Sequence, residues 1–264
     1  MSRQNYYARR RQRRRQQVDA DLVEQWVRRE REQQPRVGGR KLHHMLKGQL
    51  KEAEVKLGRD RFFDVLRQRE LLLEPKAAVY PCTTNSQHYL PVFTNLIKGR
   101  QLTGANQVWV SDITYLRTLE GGLFLALITD KWSRKIVGYH CGESLEAKEC
   151  LQALEMAVAV LPEQARPVHH SDRGSQYCSH EYVNRLRQRQ LAVSMTEIDH
   201  CAENAMAERV NGILKQEYGL GGELASKTVA LRLVEQAIWL YNNKRPHTAL
   251  GFRVPKYVHQ FGFN

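Results

Sequence analysis

The chain has 264 residues and is 42% hydrophobic, enough for one large domain or a core with a smaller companion. With 41 Lys and Arg against 28 Asp and Glu, its net charge of +13 favours a polyanionic partner, because cations placed on phosphates release counterions. No apolar run approaches the roughly 20 residues of a spanning helix, the N-terminus lacks the apolar segment of a secretory signal, and five cysteines without a CxxC pair suit free thiols in a reducing cytoplasm.

Residues 3 to 15 carry Arg3, Arg9, Arg10, Arg11, Arg13, Arg14 and Arg15, with Tyr6 and Tyr7 among them. A like-charge block this dense is expected to lack structure alone and to serve as a nucleic-acid arm, with Arg10 and Arg13 as contacts; a solubilising tail is the alternative. Leu22, Val23, Trp26 and Val27 predict a short amphipathic helix that Pro35 ends, closing a first segment at 1–35. Over 36–74, Leu42, Met45, Leu46 and Leu50 mark one helix, Gly58 a break, and Phe62, Phe63, Val65 and Leu66 a second helix. Arg59, Arg61 and Arg67 lie on its outer side, suited to a DNA groove or simply to solvent.

Pro75, Pro81 and Pro91 with Thr83, Thr84, Asn85 and Ser86 read as a linker over 75–105. A core over 106–225 follows, with strands predicted at Val108 to Leu116, Leu123 to Thr129 and Lys135 to His140, joined as hairpins. A helix over 145–161 ended by Pro162, a strand leading to Asp172, a helix near 181–189 and a fifth strand at Leu191 to Met195 complete it. Residues 226–264 form a C-terminal helix and tail. Pattern alone places the chain in the α/β class.

Glu203 to Glu217 reads as one helix with unlike faces. Asn204, Glu208, Asn211 and Lys215 fall in a single polar stripe, opposite Met206, Val210, Ile213 and Leu214. One carboxylate, two amides and one ammonium are an unusual composition for a solvated face and suit a metal-bound phosphate. Asp112 and Asp172 stand at the ends of apolar runs that look like strands, with 59 residues between them and 35 between Asp172 and Glu208. Each alone reads equally as a strand-end, turn or surface residue, but together they can converge. His169, His170, Cys178, His180, His200 and Cys201 also cluster in sequence, with a spacing that fits none of the usual zinc patterns.

Trp109-Val-Ser-Asp112-Ile-Thr-Tyr115, His170-Ser-Asp172-Arg-Gly-Ser-Gln-Tyr177, Glu203-Asn-Ala-x-x-Glu208 with Leu214-Lys215, and Tyr241-Asn-x-x-Arg245-Pro-His247 resemble the integrase-like transposases of the insertion-sequence-three family. That family belongs to the DDE transposase and retroviral integrase superfamily. The chain departs from its usual pattern at Glu203, where Asp is commoner, and at Arg209-Val210, where Ser-Phe is common. The resemblance implies a ribonuclease-H-like core with a mixed five-stranded sheet and helices, preceded by a small helix-turn-helix-like segment. It implies DNA as partner, Asp112, Asp172 and Glu208 as catalytic metal ligands, and Mg²⁺, with Mn²⁺ as substitute and two ions expected. Lys215, Asn204 and Asn211 are expected to contact DNA, as is Arg245, although Arg245 and His247 serve equally well as locks for the final helix. Metal-dependent cleavage and strand transfer at element ends follow from the resemblance. A DNA-binding relative whose catalysis has lapsed, or a hydrolytic nuclease of the same fold, are the alternatives. A homo-oligomer, a helix-turn-helix protein from an upstream frame, and a bacterial, nucleoid-associated setting are also implied.

Overall fold

The structure is a computed structural model that describes residues 3–74, 89–197 and 200–263, with the side chains of Gln12, Arg13, His200, Cys201 and Ala202 outside the description. The readings that rest on Arg13, Cys82, His200, Cys201 and the first half of the linker therefore fall outside it. The chain divides into two compact units, Met1–Ala77 and Ala78–Asn264.

In the first unit, α1 (Arg3–Gln33) is one 31-residue helix, where the charge block predicts an unstructured arm followed by a short helix. No Gly or Pro interrupts the chain before Pro35, and Arg, Gln and Ala are good helix formers, so propensity prevails over like-charge repulsion. Residues before Ala20 are largely exposed, whereas Val23 and Val27 are fully buried. They pack with Leu42, Leu46, Leu50, Phe62 and Leu66 from α2 (Gly39–Met45), α3 (Lys47–Glu52) and α4 (Arg59–Gln68). The predicted first helix is thus two short ones meeting at Leu46, and α4 follows Gly58 as expected.

The second unit is built on β1 (Val108–Thr118), β2 (Gly121–Asp130) and β3 (Ile136–Gly142), an antiparallel meander. After α5 (Ala147–Ala159), β4 (Val168–Ser171) returns parallel to β1 on its other side. Two helices, α6 (Ser175–Cys178) and α7 (His180–Gln188), lead to β5 (Ala192–Met195), parallel to β4. The order is therefore β3-β2-β1-β4-β5. After α8 (His200–Glu217), β6 (Glu223–Leu224) pairs with the far end of β1, so the expected five-stranded sheet has six strands. Two residues are too few to show alternation, which hides β6 from sequence. The chain ends in α9 (Lys227–Asn243), a 3-10 turn at Thr248–Leu250 and α10 (Pro255–Phe261).

Both faces of the sheet are covered, and the pleat sorts side chains between them. Leu116, Leu125, Leu127 and Ile136 meet Val210, Leu214, Val234 and Ile238 of α8 and α9. Trp109, Ile113, Ala126, Ile128 and Val137 meet Leu154, Tyr182 and Leu186 of α5 and α7. Close approach of α5 requires Gly138, whose hypothetical Cβ would lie 2.2 Å from the Ala153 carbonyl oxygen. The latter part of the linker packs too: Ile97 joins Val108, Val110, Val168 and Ala207.

Two buried polar contacts tie the C-terminal elements to the meander. Asp130 is fully buried at the β2–β3 turn and accepts bonds from the Ser133 amide (2.7 Å), the Ser133 hydroxyl (2.6 Å) and the Asn106 amide (2.7 Å). With that hydroxyl donating to Asp130, His259 Nδ1 of α10 donates to Ser133 Oγ at 2.9 Å. Asn242 of α9 accepts from the Ile136 amide and donates to its carbonyl, each at 2.9 Å, completing the edge strand as a neighbouring strand would. Replacing it by Leu strands both backbone groups, so Asn242→Leu should cost about 2 to 3 kcal/mol. Urea unfolding should show a lower midpoint with an unchanged m-value.

Candidate active site

The site is assembled by register. Val108, Trp109 and Val110 pair with Val168, His169 and His170 in parallel. Asp112 and Asp172 each follow two residues after the last pair of that register, and the charge of Asp172 acts on Asp112. Asp112 lies on the same side of β1 as Val108, Val110 and Leu116, the side that α8 covers. Asp172 begins the turn after β4, where its Oδ1 accepts the Gly174 amide at 3.1 Å. Arg173 donates to the carbonyls of Thr196 (2.7 Å) and Glu197 (2.9 Å), tying that turn to the end of β5.

Helix α8 is fastened to β1 by two amides of the predicted stripe. Asn204 Nδ2 donates to the Ser111 carbonyl at 3.1 Å and Asn211 Nδ2 to Asp112 Oδ2 at 2.8 Å. Glu208 lies on the same stripe, four residues after one anchor and three before the other, and is exposed. Three carboxylates from three elements thus interact. Burial, then the negative charge of Asp172, push the Asp112 carboxyl up to about 7; Glu208 adds to the rise, and the Asn211 bond opposes it. Lys215 is half-buried, and burial lowers its pKa while attraction to Asp112 counters that shift. No three His, Cys, Asp or Glu side chains among the described residues form a ready metal cluster, so the acids are neighbours and not a closed cage.

Two buried histidines of β4, which sequence does not distinguish from core, face opposite sides of the sheet. His169 Nε2 is within hydrogen-bonding distance of the Ser111 hydroxyl (2.7 Å) and the Tyr182 hydroxyl (2.9 Å), and His170 Nδ1 of the Ser194 hydroxyl (2.9 Å). Burial holds both imidazoles far below their usual pKa, His169 at about 3 and His170 at about 4. Cys178 is buried with its sulfur 3.6 Å from that of Met195, which makes it a packing residue.

Three of the residues expected to contact DNA, Asn204, Asn211 and Arg245, are buried and hydrogen-bonded within the protein. Asn204 is 3% exposed and serves as a helix anchor. Arg245, also 3% exposed, donates from Nε and Nη2 to the two carboxylate oxygens of Glu217, both at 2.7 Å, and from Nη1 to His247 Nε2 at 2.8 Å. These contacts join the segment after α9 to the end of α8. Asn211, 5% exposed, grips Asp112 instead of reaching outward. Arg10, Arg59, Arg61 and Arg67 are exposed, with Arg59 bonded to Asp60 (3.0 Å) and Arg67 to Asp64 (2.6 Å).

This mixed sheet, with helices on both faces, defines the ribonuclease-H-like integrase cores. Two integrase core domain models match, over residues 103–201 and 189–255. The chain is 37% identical over 208 residues to the insertion element IS600 uncharacterized 31 kDa protein of Shigella sonnei, a match covering 78% of this chain and 76% of that one. It is 36% identical over 171 residues to the transposase InsF for insertion sequence IS3A of Escherichia coli, covering 64% of this chain and 59% of that protein's length. In fold it is similar to a chain of the simian T-cell lymphotropic virus intasome in complex with PP2A regulatory subunit B56 gamma, with a TM-score of 0.50 at 19% identity, covering 84% of this chain and 74% of that one. The chain belongs to the integrase-core DDE transposases of the insertion-sequence-three family, enzymes of DNA transposition and integration.

Removing Arg245 leaves the Glu217 carboxylate half-enclosed without its partner. Arg245→Met should therefore destabilise the second unit by about 3 to 5 kcal/mol in chemical unfolding, with DNA affinity of the folded protein unchanged. Intact stability with weakened DNA binding would instead restore the phosphate-contact role.

Proposed function

We propose that this chain cleaves DNA at the ends of its element and transfers the freed 3′-hydroxyl to a second strand, using Asp112, Asp172 and Glu208. The observation that carries the reading is electrostatic: Asp112 is raised to about 7 by burial and by Asp172, with Glu208 adding to the rise. Accumulated negative charge of this kind suits a cation, and an all-oxygen carboxylate set suits a hard divalent ion such as Mg²⁺, or Mn²⁺ in its place. Asp112, Asp172 and Glu208 would hold two such ions, which when bound supply activation of the attacking oxygen and stabilisation of the leaving 3′-oxygen.

The protein's own part is placement. Asn211 fixes the rotation of the Asp112 carboxylate, the Gly174 amide holds that of Asp172, and the clasped α8 presents Glu208 between its anchors. Lys215, one turn beyond Asn211, adds positive charge for the substrate phosphate. Joining two element ends calls for two active sites and hence a homo-oligomer. An upstream-frame helix-turn-helix partner and a place beside bacterial DNA in the cytoplasm complete the reading. Among the described residues no helix is long and apolar enough to cross a membrane.

Supercoiled plasmid carrying the flanking element ends, incubated with the protein in Mg²⁺, Mn²⁺ or chelator, tests this. Metal-dependent nicked and joined products are expected, and Glu208→Gln should abolish both while leaving DNA binding intact. Unchanged cleavage by that variant would show the site to be elsewhere; binding without cleavage under every metal would favour the lapsed relative.

A second test uses stability. With its folded pKa raised to about 7, Asp112 stays protonated in the native state between pH ~4 and ~7, where the unfolded chain has released the proton. Metal-free stability is thus lost as pH rises through that window. Asp112→Asn removes the penalty, so in chelator the variant should exceed wild type by about 1 to 3 kcal/mol at pH ~8, with little difference near pH ~4. Thermal melts at the two pH values check the sign.

A further inference from the structure

The first unit carries a shallow, open cationic surface apart from the Arg59, Arg61 and Arg67 side of α4. It is a hollow bounded by α3, the loop into α4 and one residue of α2, lined by His43, Lys47, Lys51 and Lys56 over a floor of Leu50, Val55 and Leu57. Lys47 and Lys51 stand one helical turn apart on α3, and Lys56 approaches from the loop. All three are exposed, and no ion pair is formed by any of them among the described residues. At the loop, Arg15 of the basic stretch of α1 donates to the Glu54 carbonyl at 3.4 Å, next to Val55 in the floor. Arg15 therefore adds one cation beside the lysines of the hollow. On the α4 side, Asp60 and Asp64 beside Arg59 and Arg67 reduce the net positive charge presented.

We infer that this lysine-lined hollow, and not the arginine side of α4, is where the first unit grips DNA, and that its occupant is the phosphodiester backbone of a duplex. A duplex backbone is a convex ridge of closely spaced charges. On this shallow surface three exposed ammonium groups can reach one ridge together. An apolar floor suits the deoxyribose between phosphates. Such contacts position the protein without reading bases, so they serve any sequence equally. The inference rests on the DNA-processing function proposed above and adds the surface by which this unit holds its substrate.

The test measures binding of the full chain to an element-end duplex and to an unrelated duplex across a series of salt concentrations. Replacing Lys47, Lys51 and Lys56 together by Gln should weaken binding to both duplexes alike. It should also reduce the slope of log affinity against log salt by about 2 to 3, one phosphate contact per lysine. The corresponding triple Lys→Arg variant, which keeps the charge, should restore the slope. Wild-type binding with an unaltered slope in the Gln variant would overturn the hollow alone. So would loss of slope confined to an Arg59, Arg61 and Arg67 triple Gln variant. A wild-type chain that binds neither duplex would sink this inference and the proposed function together.

Discussion

The clasp between α8 and β1 is the contact on which the site depends. Two strands can bring Asp112 and Asp172 side by side through parallel register alone, but a third carboxylate must come from outside the sheet. The Asn204 and Asn211 amides supply that connection, one gripping the backbone of β1 and the other the catalytic candidate itself. Apolar packing of Val210, Ile213 and Leu214 drives the helix onto the sheet, yet such packing is non-directional. Hydrogen bonds spaced two turns apart give the helix a rotation and a register, and Glu208 is held beside the acids as a result.

Holding three acids together works against folding. Asp112 is ionised only at the expense of burial and of repulsion from Asp172, which the Asn211 hydrogen bond offsets only in part. The remainder of the unit must stabilise it by other means: two apolar clusters on opposite faces of the sheet, a close approach of α5 over Gly138, and the Arg245–Glu217 pair.

Much of this arrangement was legible in the sequence, for identifiable reasons. Period-two alternation placed Asp112 on one side of a strand, and the spacing to Asp172 and Glu208 marked the family. Helical periodicity grouped Asn204, Glu208, Asn211 and Lys215 correctly but could not say what lay against them; a polar stripe pressed on a strand looks the same as one facing solvent. Arg245 was ambiguous for a similar reason, since Glu217 is 28 residues away and their pairing is visible only in three dimensions. The long α1 shows two rules in conflict, charge repulsion against helix propensity without a breaker, and the second prevailed over its whole length.

The contact between His259 and Ser133 spans 126 residues of chain. During synthesis the β2–β3 turn leaves the ribosome long before α10 exists, so Asp130 and Ser133 are made without the imidazole that completes their network. Pairing of β1, β2 and β3 is local and can form early, whereas contacts of this separation carry a large loop-closure entropy and form late. The meander is therefore able to form first, with the last helix closing over its turn only after the whole core has been translated.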